Sequence, residues 1–253
     1  MNKKYPIVFI LSLLCLTKPL FAQQEDGAKW THEVRVGLNL GGTAPLPIPA
    51  EIRKINSFTA GVNPIIGFRS TRWLDKHPQW GITSGVTIDY RGMKTSADVK
   101  YWYTDLVVGE GDRTGRFSGT FSGKNMTKVK NGYFTIPVLA SYRPFKAWTF
   151  HAGGYFSWIH TSKFEGSASD GYIREGGPTG DRITVEESTY DFSDELKDID
   201  AGITVGANWK LTKRIAATGE LNWGLVPIFP ADFKGVSHKM YNIYFSLGLS
   251  YRL

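Results

Sequence analysis

Cysteine is almost missing from this chain of 253 residues: the single one is Cys15, near the N-terminus. It stands in "MNKKYPIVFILSLLCLTKPLFAQQED", where Lys3 and Lys4 precede an apolar run from Tyr5 to Leu16 and Leu20-Phe21-Ala22 closes the stretch. That layout is a secretory signal peptide over residues 1–22, with cleavage expected after Ala22. The run is too short for a membrane anchor, and Leu14 is too large for the small residue that a lipoprotein signal needs before its cysteine. The exported chain then has no disulfide, no thiol nucleophile and no thiolate ligand.

Long apolar runs are missing too. Beyond the leader none reaches about 18 residues, so no transmembrane helix is expected. A strong charge bias is absent as well. The formal charge of +7 falls to +4 without Lys3, Lys4 and Lys18, because the leader carries no acid. No nucleic-acid partner is expected from so small an excess. Motifs for chemistry are equally scarce. His32, His77, His151, His160 and His238 show no zinc-ligand spacing, and no G-x-S-x-G nucleophile motif occurs. "GEGDRTG" (109–115) lacks the Lys-Ser/Thr of a phosphate loop. "DFSDELKDID" (191–200) lacks the glycine and spacing of a calcium loop. The expectation is a protein without cofactor, metal or catalytic residues.

What the chain does have is glycine, 28 residues of it, and aromatics at 14%, a mixture suited to strands. Eight stretches alternate with period two, each with one apolar face. They run from 32 to 42, 58 to 69, 80 to 91, 133 to 143, 148 to 160, 199 to 210, 215 to 225 and 241 to 253. The last, "YNIYFSLGLSYRL", sets Tyr241, Ile243, Phe245, Leu247, Leu249, Tyr251 and Leu253 on one side. The connections after the second, fourth and sixth runs are short. Those after the odd runs are longer, above all residues 92–132 and 161–198. Pro64 and Pro137 fall inside runs and each removes one ladder donor.

The apolar faces can look at a core or at lipid, and three features favour lipid. The polar faces carry Gly, Thr, Ser and Asn with some Arg, and only Lys210 among lysines, whereas a sheet facing water would carry many Lys and Glu. Aromatics sort to the ends of the apolar faces. Phe68, Trp80, Tyr142, Trp148, Trp209 and Tyr251 stand beside the short turns; Phe58, Tyr90, Phe134, Trp158, Trp223 and Tyr241 stand beside the long loops. Two such girdles around an aliphatic band suit a bilayer. An even number of strands, with short turns at one end and long loops at the other, completes the pattern. The fold expected for residues 23–253 is all-β: an eight-stranded antiparallel up-and-down transmembrane β-barrel with short periplasmic turns and long extracellular loops.

The inward faces carry the charges. Glu33, Arg35, Arg69, Arg143, Lys210 and Arg252 are expected near the short turns and Asp89, Arg91 and Asp200 near the loops, with Glu220 and His151 between. A buried carboxylate needs a partner, so Glu220 is expected to find Arg35, His151 or Arg252. A polar network of this kind fills a narrow lumen.

"GYFTIPVLASYRPF" (132–145), "DIDAGITVGANWKL" (198–211), "ELNWGLVPI" (220–228) and the start "VRVGLNLGG" resemble the PorT-type outer-membrane β-barrel proteins of Bacteroidota. The resemblance implies residence in the cell outer membrane after signal-dependent export, mostly without an assigned activity, with some members linked to protein secretion. The final octet is similar to a barrel-assembly signal: Ser246 takes its polar position, Gly248 its glycine, and Tyr251 and Leu253 its hydrophobic positions. Expected partners are therefore outer-membrane lipid and, during insertion, the barrel-assembly machinery. The leading functional expectation is a non-enzymatic barrel whose extracellular loops carry recognition. Alternatives are an accessory component of a secretion or envelope complex, and a small-solute pore.

Overall fold

The computed structural model describes residues 29–110, 113–175, 179–233, 235–236 and 238–253. The signal peptide expected over residues 1–22 lies outside the described residues. Eleven strands occur among those described: β1 (Trp30–Pro45), β2 (Ile52–Thr59), β3 (Pro64–Trp73), β4 (Trp80–Glu110), β5 (Arg113–Phe145), β6 (Trp148–Thr161), β7 (Phe164–Glu175), β8 (Arg182–Asp191), β9 (Ile199–Lys210), β10 (Ile215–Gly224) and β11 (Met240–Arg252). Eight of them follow one another as antiparallel neighbours in the order β4-β3-β1-β11-β10-β9-β6-β5, and β5 pairs back onto β4. The ring is closed. Every wall strand thus has a neighbour on both sides, as a wall with no water to satisfy its backbone requires.

Alternation decides what faces where. On β1, Arg35, Asn39 and Thr43 are buried while Val36, Leu38 and Leu40 are exposed; on β11, Asn242, Tyr244, Ser246 and Ser250 are buried while Phe245, Leu247 and Leu249 are exposed. A polar interior and an apolar exterior would be untenable for a barrel in water, where contiguous exposed apolar surface is small. Close strand approach needs glycine at one inward pair: a Cβ on Gly37 would sit 2.3 Å from the Leu247 carbonyl oxygen. Pro64 opens β3, where a missing donor is tolerated. At Pro137 the ladder to β6 continues, but the ladder to β4 is interrupted between the pairs Ser84–Val138 and Thr87–Thr135.

Two expectations need correction. The run expected from 58 to 69 is two elements. Gly61 takes φ +70°, and the Asn63 amide bonds the carbonyls of Ala60, Asn39 and Gly92, which turns the chain between β2 and β3. Phe58 therefore lies on β2, opposite Thr95 of β4, and is not part of the wall girdle. The second correction concerns length. The runs expected to stop at Arg91 and to start at Tyr133 belong to strands of 31 and 33 residues. Each spans roughly 100 Å, whereas about 9–11 residues cross a membrane.

The projecting parts of β4 and β5 join β2, β7 and β8 into an extension beyond the loop end of the barrel. β7 pairs with β5, β8 with β7, and β8 returns to β4 at Val107–Thr189. Its interior is apolar, built from Met93, Val99, Trp102, Phe121, Val129, Phe164, Ile173, Val185 and Phe192, with Ile228 and Phe229 from the β10–β11 connection. On β4 the inward set keeps its parity through Thr87, Asp89, Arg91, Met93, Ala97 and Val99 but changes from polar to apolar. The outward set changes the other way, from Val86, Ile88 and Tyr90 to Lys94, Ser96 and Asp98. A register shift between Val99 and Trp102, with Tyr101 at φ +59°, then turns Trp102 inward.

Candidate functional site

Two ionic clusters fill the lumen. In the half toward the short turns, Glu220 receives Arg69 at 2.5 Å through Nη1 and 3.0 Å through Nη2, and Arg35 Nη1 at 3.0 Å. The strands β10, β3 and β1 place these side chains at one level, and Gly206 makes the room, since a Cβ there would lie 2.4 Å from Glu220 Cγ. All three charged groups are buried. Arg69 was not among the partners expected for Glu220. His151 turns instead to Ser141, whose Oγ lies 2.8 Å from Nδ1, at the end of a hydroxyl chain through Thr83 and Thr71. Arg252 lines the opening at the short-turn rim.

In the half toward the loops, Arg91 bonds Asp89 at 2.7 Å through Nε and Asp200 through Nη1, with Ser157 at 3.1 Å. The Tyr155 hydroxyl donates to Asp200 at 3.0 Å, and the guanidinium lies 4.4 Å from the Tyr133 ring centroid. Between the clusters a relay crosses the barrel: Thr204 to Asn222, Asn222 to Ser246, Ser246 to Asn39, and Asn39 to the Tyr90 carbonyl, at 2.6–2.9 Å. Buried polar groups are largely satisfied by one another, which is what a plug requires.

The exterior carries the aromatic rings where the sequence sorts them, Phe58 excepted. Trp80 stacks on Tyr142 at 4.4 Å and Trp148 on Trp209 at 6.0 Å at the short-turn end, where Phe68 and Tyr251 are also exposed. Phe134, Trp158 and Trp223 are exposed at the loop end, with Tyr90 and Tyr241 half-buried. Of the final octet, Ser246 is buried inside and Tyr251 and Leu253 are exposed outside; a Cβ on Gly248 would lie 2.2 Å from the Val36 carbonyl.

The chain belongs to the family of outer membrane protein beta-barrel domains, whose model matches residues 21–230. The apolar exterior is therefore the lipid face of an outer-membrane barrel. No curated protein matches the chain by sequence. Among solved structures it is similar to Ail, the attachment invasion locus protein of Yersinia pestis, with 8% identity, 88% of this chain and 97% of that one covered, and a TM-score of 0.36. It is similar to OprG from Pseudomonas aeruginosa, with 11% identity, 88% and 95% covered and a TM-score of 0.35. A third is the outer membrane protease OmpT from Escherichia coli, with 12% identity, 92% and 99% covered and a TM-score of 0.30.

The extension was not foreseen as a site. Its outer surface has a hollow of about 730 Å³. Across the four strands the register runs Lys94–Lys128–Glu165–Asp191, two cations beside two anions. Like charges directly opposite destabilise a sheet, so the Lys94–Lys128 pair is costly unless an anion covers it. Asp191 is held below the usual carboxylate range by the Ser193 hydroxyl and backbone amide, so it stays ionised in mild acid. Inside, burial raises the Tyr190 phenol, which bonds Thr127 and Asn125. "DFSDELKDID" is only partly a solvated loop, because Phe192 enters the core. The tip of the β4–β5 hairpin pairs Glu110 with Arg113 within "GEGDRTG", and residues 111–112 lie outside the described ones.

His238, in the β10–β11 connection, lies 4.4 Å edge-on from the Trp102 ring, and burial lowers its pKa below the ordinary 6.5. A depressed histidine resists protonation in the folded state, so its contribution is present above about 6.5 and is lost as pH falls below that value. The protection of the amides of residues 226–233 against exchange, relative to their intrinsic rates, is expected to fall between pH 7 and 5, and His238→Phe is expected to remove that fall.

Proposed function

We propose that this protein is a non-conducting, non-enzymatic outer-membrane barrel that displays a folded extracellular β-extension for recognition. The observation that carries this reading is the extension itself. A core of its own and inverted amphipathy along β4 and β5 are features a mere connecting loop does not need. The short motifs at 132–145, 198–211 and 220–228 support a PorT-type assignment within the family, and the leader supports export. The mixed-charge hollow around Lys94, Lys128, Glu187 and Asp191 fits a polar, zwitterionic surface better than an apolar ligand.

A photo-crosslinking residue placed at Lys128 or Thr189 in living cells tests it. Adducts to another surface or external component are expected there. Adducts found only from a probe at Lys213, in a short turn, would overturn the extracellular reading and favour an envelope complex on the other side. The pore reading meets the two clusters. Purified protein is expected to give no sustained conductance in planar bilayers, and steady single-channel steps in a porin-free preparation would reverse that ranking.

A further inference from the structure

One sector of the wall lacks its aromatic rim. At the loop end the adjoining strands β1 and β3 carry no aromatic residue, while their neighbours β4 and β11 carry Tyr90 and Tyr241. On β1 the outward set runs through Val36, Leu38 and Leu40 to Gly42. Gly42 lies opposite Ile243 of β11, and Ile243 lies opposite Trp223 of β10, which sets this glycine in register with the rim. A Cβ at Gly42 would lie 2.8 Å from Met93 Sδ and 3.2 Å from Phe58 Cε2. The Phe58 ring therefore occupies the space in front of the glycine, on the outer side of β1, although β2 and not a wall strand carries it.

β2 is shaped to bring the ring there. Its ladder to β4 shifts register between Ile52 and Lys54 and again between Ile55 and Ser57. Each shift inserts one residue, so Ile52, Ile55 and Phe58, three apart in sequence, oppose Val99, Ala97 and Thr95, which share one face of β4. Ile52 packs against the core of the extension, whereas Ile55 and Phe58 emerge from it, each 55% exposed. Where the chain turns into β3, the Asn39 amide donates to the Asn63 carbonyl. That bond carries the β1–β3 register one step further and sets Val62, 80% exposed, beside Leu40. The apolar outer surface of the wall thus continues from Leu40 and Ile66 through Val62 to Phe58. The other face of β2 is polar: Lys54 lies opposite Asp98 and Ser57 opposite Ser96. An edge strand that stands in water on both sides is normally blunted by charge, and the Ile55–Phe58 face is not.

We infer that the β2 flank of the extension is a lipid-contact surface, with Val62 and Phe58 against the acyl chains of the leaflet at the loop end and Ile55 at its headgroups. The occupant is the leaflet itself, because this surface is continuous with the lipid face of the wall. Aromatic rings at a bilayer interface fix the depth of the protein that carries them. The contact therefore ties the extension to the membrane on one flank, while the outward faces of β4 and β5 keep Lys94 and Lys128 in water.

The test uses the full chain in a Cys15→Ser background, one barrel to each phosphatidylcholine nanodisc. Nitroxide labels are placed singly through Val62→Cys, Phe58→Cys, Lys54→Cys and Lys128→Cys, and heat-modifiable gel migration checks that each variant folds. The collision rate with oxygen relative to that with a nickel chelate is expected to be severalfold higher at Val62 and Phe58 than at Lys54 and Lys128. Lys54 is the sharpest control, because it stands on the same strand with the opposite face. Labels at Val62 and Phe58 that meet nickel as readily as the one at Lys54 put the flank in water and overturn the inference. Labels shielded from both reagents overturn it as well, since protein then covers the flank; broadening between labels when two barrels share a disc would identify a second copy. The unaltered side chains are read with a phosphatidylcholine that carries a carbene precursor on its acyl chain, which decides the matter if a label prevents folding. Adducts are expected on Phe58 and Val62 and not on Lys54 or Lys128, and a chain marked on neither Phe58 nor Val62 contradicts the contact.

Discussion

Glu220→Ala is expected to lower the stability of the barrel by about 3–5 kcal/mol, the range for removing one partner of a buried ion pair. Glu220 is 2% exposed, and both guanidinium groups that it binds are buried beside it. Without it, Arg35 and Arg69 confront each other with only Glu33, opposite Arg69 on β1, left as a neighbouring counter-charge. Glu220→Gln keeps the volume and two acceptor lone pairs but not the charge, and is expected to recover only a minor part of the loss. Thermal unfolding in detergent, read as the temperature at which heat-modifiable gel migration is lost, checks both. The alanine variant is expected to stay closed to ions, because the relay through Asn39, Ser246, Asn222 and Thr204 and the Arg91 cluster remain.

The second large effect lies on the outer face. Val86 and Leu247 are 52% and 47% exposed on β4 and β11. An arginine at either position puts a charge against the hydrocarbon, at a cost of about 2–4 kcal/mol near the midplane and less toward the interfaces. Thr87, next in the chain, is buried and faces the lumen, and Gly67 makes room for its hydroxyl, which a Cβ there would approach to 2.6 Å. Thr87→Arg is expected to fail for a different reason, overpacking and a further cation in a filled interior. Equilibrium unfolding in urea from phosphatidylcholine vesicles separates the cases: Val86→Arg responds to bilayer thickness and Thr87→Arg does not.

The wall was legible because each of its strands meets one constant environment on either side. β9 occupies 199–210, the span its alternation marks, and β6, β10 and β11 lie within a residue of theirs. The extension was not legible for the same physical reason turned round. Where β4 and β5 leave the hydrocarbon, water replaces lipid outside and a hydrophobic core replaces the polar plug inside. The apolar residues then change parity while the strand continues, so a search for unbroken apolar alternation stops at Arg91. Lys94, Lys128 and Lys130, taking over the outward positions after Tyr90 and before Phe134, are the signal that could have marked the crossing. Phe58 was misplaced because its alternation joins smoothly to that of Ile66 and Phe68. Only Gly61 and Asn63 between them betray the turn. In the lumen, residue types foretold two groups of charges, but not that Arg69 rather than His151 would complete the Glu220 cluster. That choice depends on strand register, which fixes which side chains share a level.

The central claim is that one strand, β4 or β5, passes from lipid into water with its outer face outward throughout. Single cysteines test it directly, since the only cysteine of the sequence is Cys15, near the N-terminus. On intact cells, Lys128→Cys is expected to react with a membrane-impermeant maleimide, Val86→Cys only with a lipid-soluble probe, and Thr87→Cys with neither. Labelling of Thr87→Cys by the lipid probe while Val86→Cys is spared, or a Lys128→Cys that reacts only after the cells are opened, would contradict the account.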